Sequence, residues 1–420
     1  MKTQMTPIGA PWNPRRLFPI LFLLLVGGLP GFAATLTVTS AGDGVGSTLR
    51  NIVEASSPGD TIVFAPGLSG QTILLTNQIT LSWNITIDGS TLPDGIQING
   101  NSASRIFELT NNAIVVLNSL TLTNGYASLG GAIFNNFGSA LTLDNSTIAG
   151  CSARYGGAIY NDGPLTLNQC TLSGNTAYLI YGGAIEAGGA VALNQSTITG
   201  NTVDGAGGEG GGIYIVASSL TLTNSIVAGN TASVGADILN FQSILIRAGT
   251  NIIQSSVNTS GGTDSGPAAI NAAPRLAPLG NYGGPTQTMP PLFGSPAVDA
   301  GSDSLIGGYT TDQRGYPRAS GAHVDIGAVE AQYAPANNPP VLMGSTFSAL
   351  GGAGGTNGFQ FAFSNVTNAD FTVLASTNLA LPLNEWVPIG NAMQNPPGQY
   401  LFTDPGATNY PQRFYQVVSP

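Results

Sequence analysis

The segment Leu141-Thr-Leu-Asp-Asn-Ser-Thr-Ile-Ala-Gly-Cys151, followed by Gly156-Gly-Ala-Ile-Tyr160, returns as Leu165-Thr-Leu-Asn-Gln-Cys-Thr-Leu-Ser-Gly-Asn175 and Gly182-Gly-Ala-Ile-Glu186. The same order of residues spreads outward on both sides. Aliphatic pairs open at Val115, Leu141, Leu165, Val191 and Leu220, spaced by 26, 24, 26 and 29 residues. Seven residues after each start stands another aliphatic: Leu122, Ile148, Leu172, Ile198 and Val227. Ten after each start stands a turn residue: Gly125, Cys151, Asn175, Asn201 and Asn230. Within each repeat the apolar positions alternate, so the segments are short strands with one inward face, broken by Asn, Ser and Gly turns. One repeat of this size cannot bury its own face. Stacking the repeats at strand spacing joins the faces into a continuous core. Three short strands per coil of roughly 24 residues predict an all-β, right-handed parallel β-helix.

Weaker versions of the pattern run upstream. Thr61–Phe64, Ile73–Leu75, Ile79–Leu81, Ile85–Ile87, Ile96–Ile98 and Ile106–Leu109 read as strands of earlier coils. Before them, Ser47–Ala55 reads as a short cap helix, with Ser47 as its N-cap and Leu49, Ile52 and Val53 on one face. Such a cap would cover the open end of the first coil. After residue 266 the repeat breaks. Residues 335–340 read as a linker, and alternating aromatic segments from residue 341 to 420 predict a small β-sandwich. The domain plan is therefore a signal peptide over 1–34, a β-helix with its cap over 35–266, a terminal part of the β-helix over 267–334, the linker, and the sandwich.

The signal peptide is read from Lys2, Arg15 and Arg16, the apolar run from Leu17 to Val26, and the small residues Ala33 and Ala34 near the expected cleavage. The chain so shortened has no Lys and eight Arg against 21 acidic residues, a formal charge of −13. That balance disfavours nucleic acid and anionic membranes as partners and removes Lys from any catalytic role. No transmembrane helix is expected after cleavage, and a rod of this kind is read as a monomer. Cys151 and Cys170 fall in different slots of adjacent repeats, which favours two separate small residues over a disulfide.

The repeats, with Gly-Gly-Ala-Ile at Gly130, Gly156 and Gly182 and Gly-Gly-Gly-Ile at Gly210, resemble those of bacterial secreted β-helix proteins and of polymorphic outer membrane proteins. Four further motifs, Asn281-Tyr-Gly-Gly-Pro-Thr286, Ser295-Pro-Ala-Val-Asp-Ala-Gly301, Asp312-Gln-Arg-Gly315 and Asp325-Ile-Gly-Ala-Val-Glu330, are similar to the choice-of-anchor Q domain. The resemblance covers about Thr35 to Glu330. It implies a secreted or cell-surface protein whose anchoring segment varies among members. The last eighty or so residues resemble a module carried at the end of many secreted bacterial proteins.

Three groups of residues are candidates for function. Phe134, Tyr160 and Tyr214 follow the isoleucine of the Gly-Gly block and should point outward on neighbouring coils, where aromatic rings could stack on a glycan or a partner protein, or could simply form a stabilising ladder. Asp299, Asp303, Asp312 and Asp325 form the densest acidic group; hard oxygen ligands suit calcium, while Arg314 and Arg318 nearby suit ion pairs and turn caps. No other cofactor is implied. His323, the sole histidine, should share a strand face with Asp325 as a structural pair. Asp144, Asp162 and Glu186 read as solvated turn residues, with no stacked carboxylate pair as a glycosidase needs. These readings point to a non-catalytic protein for adhesion or binding, with an extracellular polysaccharide or protein as partner, or to a structural spacer. The alternative is a polysaccharide lyase or glycoside hydrolase, since the expected fold resembles the pectin-lyase-like solenoid that hosts such enzymes.

Overall fold

A computed structural model describes residues 33–332, 340–349 and 357–419. The signal-peptide expectation lies outside these residues except for Ala33 and Ala34, and so does the linker except for Pro340.

The predicted β-helix is present. The coil Ala140–Asn161 illustrates one repeat. Ala140–Asp144 belongs to a first sheet of ten strands, Thr147–Ala149 to a second of eight, Ser152–Tyr155 to a third of four, and Ile159–Asn161 to a fourth of eight. All pairings between coils in these sheets are parallel, and the columns seen in the sequence are the observed register. Leu117, Leu143, Leu167, Leu193 and Leu222 stack in the first sheet, and Leu122, Ile148, Leu172, Ile198 and Val227 in the second. All ten are shut off from solvent. Each contributes about 1.5–3 kcal/mol by leaving water.

The third sheet departs from the expected three strands per coil. Tyr126–Leu129, Ser152–Tyr155, Thr176–Ala177 and Thr202–Val203 form it. Its strands are two to four residues long and bury only Ala153, Ala177 and Val203 in the middle and last coils, too little alternation to register as a strand.

The slot read as a turn residue is interior. Asn175, Asn201 and Asn230 are buried. The Asn201 Oδ1 accepts the backbone N–H of Asn175 at 3.0 Å, and its Nδ2 donates to Leu172 O and to Asn230 Oδ1. Asn230 repeats the pattern towards Asn201 and Asp237, and Cys151 sits at the other end, its N–H donated to Asn175 Oδ1. Buried polar groups are tolerated because each finds its partner one coil away. Cys151 and Cys170 are both buried and unpaired; burial pushes the Cys151 thiol up to about 12.

A helix over Leu49–Ala55 closes the first coil, with Leu49 and Val53 buried against the core. Its N-cap is Thr48 rather than Ser47: the Thr48 hydroxyl accepts the Asn51 N–H. The expected cost of Thr48→Ala is about 1 kcal/mol, from one lost cap bond; urea denaturation checks it, and an unchanged midpoint would refute the cap's contribution.

Residues 267–334 were expected to continue the solenoid. Among the described residues they add no strand to it. They form a strap lying along the outward side of the second sheet. Asn224 donates to Ser302 O, Gln195 to Ile306 O, and Thr147 to Gln287 O, so the strap spans several coils. Gln313 sits at its centre, accepting from Thr171 Oγ1 and donating to Thr147 Oγ1 and Thr286 Oγ1. The threonines Thr121, Thr147, Thr171 and Thr197, outward on the second sheet, are thereby buried.

Beyond the strap lie two antiparallel sheets of four and three strands. Phe361, Phe363, Tyr400 and Phe402 from one sheet meet Phe371 and Val373 on the other side of a separate core. Val341–Ala349, absent from the sequence reading, is an edge strand of the first. Among the described residues no helix is long and apolar enough to cross a membrane.

Candidate functional site

The Ile-x step after each Gly-Gly block places one residue of every coil outward on the fourth sheet. Pairing fixes the column Glu108, Phe134, Tyr160, Glu186, Tyr214. The isoleucines before the last four, Ile133, Ile159, Ile185 and Ile213, are fully buried, so the expected alternation holds. Phe134 and Tyr160 meet edge to face at 5.2 Å. Tyr214 is more enclosed than an outward residue should be, at 6% exposure.

The reason is a second row that the sequence reading missed. The residue just before each Gly-Gly pair ends a strand or bridge of the third sheet: Leu129, Tyr155, Tyr181 and Glu209. After the turn the chain doubles back, so these side chains stand beside the outward column. Tyr181 stacks on Tyr214 at 4.3 Å and on Tyr155 at 5.9 Å, and Tyr214 also faces Phe241 at 6.5 Å. A recurring Tyr-Gly-Gly was the visible signal. Two arginines flank one end: Arg105 lies 5.3 Å from the Phe134 ring and Arg154 5.8 Å from the Tyr155 ring. Arg105 is fixed there by Gln78 Oε1 and Leu129 O. The face is thus an aromatic platform several coils long.

Glu186 interrupts this platform. It lies on the strand Ile185–Ala187 between Tyr160 and Tyr214, not in a solvated turn. Its Oε2 is buried without a hydrogen-bond partner. Burial, then the charge of Asp162, raises its carboxyl to about 8. Asp162 itself is half-buried, and burial raises its carboxyl too. Asp144, by contrast, is held in a side-chain ladder by Asn168 at 2.7 Å.

The four aspartates of the strap do not meet in one place. Asp312 pairs with Arg314 at 2.9 Å and accepts the N–H groups of Arg314, Tyr316 and Glu330. Asp325 accepts the N–H groups of Asp299 and Ala331, while Asp299 accepts those of Ala322 and His323. Burial raises Asp325 to about 7. Asp303 holds the Val324 N–H and the His323 ring at 2.9 Å. The His323 hydrogen bond is the main cause that lowers the Asp303 carboxyl. These carboxylates fold the strap's turns. Among the described residues no three His, Cys, Asp or Glu side chains gather where they could hold a metal ion. The expected His323–Asp325 strand face is not formed: the stretch is a bend, His323 is exposed, and Asp325 is buried.

No family model matches the chain, and no curated protein is significantly similar to it.

Proposed function

We propose that this protein is a secreted or cell-surface β-helix that binds carbohydrate on the aromatic platform of its fourth sheet, in an adhesive or structural role. The observation that carries this reading is the pair of aromatic rows, Phe134–Tyr160–Tyr214 and Tyr155–Tyr181, side by side on neighbouring coils. The partly exposed rings of Phe134, Tyr155, Tyr160 and Tyr181 suit the apolar faces of sugar rings. The resemblance to choice-of-anchor Q proteins agrees with this setting, as do the acidic, Lys-poor composition and the basic-apolar start of the chain.

The test is a glycan array with the wild type and with Phe134→Ala and Tyr160→Ala, the two partly exposed rings of the column. Each replacement is expected to weaken the best ligand about tenfold, equivalent to about 1.4 kcal/mol, with an unchanged melting temperature. Unchanged binding in both variants would leave the rings as a plain stabilising ladder.

A second reading, a glycoside hydrolase, is favoured by one observation: two acids, Glu186 and Asp162, stand on adjacent coils beside the platform, close enough for the Asp162 charge to add to burial in raising the Glu186 carboxyl. Release of reducing ends from a polysaccharide that the platform binds, lost in Asp162→Asn, would establish it.

A further inference from the structure

We propose that Glu186 is the polar anchor of the aromatic platform, and that it selects uncharged glycans by engaging them through its protonated carboxyl. The inference rests on the carbohydrate reading above and names the ligand class and its control.

Among the described residues Glu186 is the one acid with a buried, unpartnered carboxyl oxygen. An ionised carboxylate left in this state is costly, and neutralisation is the usual escape. The buried asparagines Asn175, Asn201 and Asn230, by contrast, bond to one another along the coils. The neighbours of Glu186 explain why no partner is supplied. Tyr160 and Tyr214 flank it within the sheet. Tyr181 presents its ring from the adjoining row, with Glu209 bridged beside it. Asp162 approaches from the turn below, and its Oδ1 lies 3.2 Å from where a Cβ on Gly188 would stand. Arg154, at the edge of these rows, lies over the Tyr155 ring. Among the described residues no ion pair to Glu186 is formed, and the charge that acts on it is that of Asp162, which disfavours ionisation.

A protonated carboxyl offers one O–H donor and acceptor capacity, which matches a pair of sugar hydroxyls. An ionised one is acceptor-only and would have to be desolvated under the sugar. A uronate would add a further negative charge beside Asp162, Glu186 and Glu209. The raised proton affinity of Glu186 agrees with the geometry. The tyrosines do not titrate in the same window: burial first, then Glu186 and Asp162, hold Tyr160 up at about 12, and burial raises Tyr214 as well. Affinity for a neutral glycan is therefore full below the Glu186 pKa and lost as pH rises through it.

The experiment is calorimetric titration of the full chain at pH 6.5 and pH 9.5. The probes are neutral hexasaccharides of β-glucan, xylan, mannan and chitin, with oligogalacturonate as the charged comparison. The expected result is a neutral ligand bound at least tenfold more tightly at pH 6.5, oligogalacturonate bound more weakly than it at both, and a pH ratio near one in Glu186→Gln. Proton uptake by the wild type on binding near pH 8.5 gives the same answer without a variant. Equal affinity of a neutral glycan at the two pH values, a pH ratio in Glu186→Gln equal to the wild type's, or preference for oligogalacturonate overturns the proposal while leaving carbohydrate binding intact. Failure of the wild type to bind any glycan at either pH overturns both.

Discussion

Arg314→Ala is expected to destabilise the protein by about 3–5 kcal/mol and to uncouple the C-terminal sandwich from the solenoid. Arg314 is fully buried between two carboxylates. Its Nη2 lies 2.9 Å from Asp312 Oδ2, and its Nη1 lies 2.8 Å from Asp370 Oδ1. Nη2 also donates to Glu330 O at 2.6 Å, and the guanidinium covers the Tyr316 ring at 4.7 Å. Burial alone would lower the guanidinium pKa, but Asp312 and Asp370 raise it overall, so the charge is kept. Removing it leaves two buried carboxylates without their counter-charge. One of these, Asp370, belongs to the sandwich, and its backbone N–H and Oδ2 also meet the Gln332 backbone in the strap. The two cores are separate, so the damage falls on the joint. Calorimetry should resolve two transitions where the wild type is expected to show one, and limited proteolysis should release the sandwich sooner. Arg314→Lys should recover only part of the loss, because one ammonium cannot fork between both carboxylates. A single transition shifted by less than about 1 kcal/mol, the size of an exposed pair, would show that the joint lies elsewhere.

The solenoid was legible from its sequence because its core is aliphatic and in register. A column such as Leu117–Leu143–Leu167–Leu193–Leu222 needs no partner knowledge to be seen. What escaped was whatever depends on a neighbour outside the repeat. Asn201 looks like a turn residue because Asn favours turns; its inward ladder depends on Asn175 and Asn230 lying one coil to either side. The strap is aperiodic and rich in Gly and Pro, and its motif residues gave no sign that Gln313 would join Thr147, Thr171 and Thr286. Asp312 and Arg314 were visible as an acidic and basic pair, but Asp370 is 56 residues further on than Arg314. At the platform, the outward column was read correctly from alternation. Glu186 was read as solvated because its burial is made by Tyr181 and Tyr214, and Tyr181 belongs to a sheet too short to leave a period.

Gly157→Ala is expected to be strongly destabilising, costing more than about 4 kcal/mol. A Cβ at this position would stand 2.2 Å from Gly183 O and 2.6 Å from the Thr176 carbonyl carbon. Both are backbone atoms of the next coil, so no side chain can rotate away. The coils would have to separate where Gly157 N–H donates to Gly182 O at 3.0 Å and Ala158 N–H to Ala184 O at 2.9 Å. Those bonds set the register of the fourth sheet, on which Tyr160 and Glu186 depend. Gly174 supplies the contrast. Its φ of +66° favours glycine, yet the nearest atom to a Cβ there is 4.0 Å away. Gly174→Ala should therefore cost only about 1 kcal/mol, the strain of one left-handed residue. Urea denaturation of the two variants separates crowding from backbone strain. The expected ranking is reversed only if neighbouring coils can part by more than an ångström without losing their pairing. A Gly157→Ala midpoint close to that of Gly174→Ala would mean that the solenoid is far more compliant along its axis than its continuous aliphatic core implies.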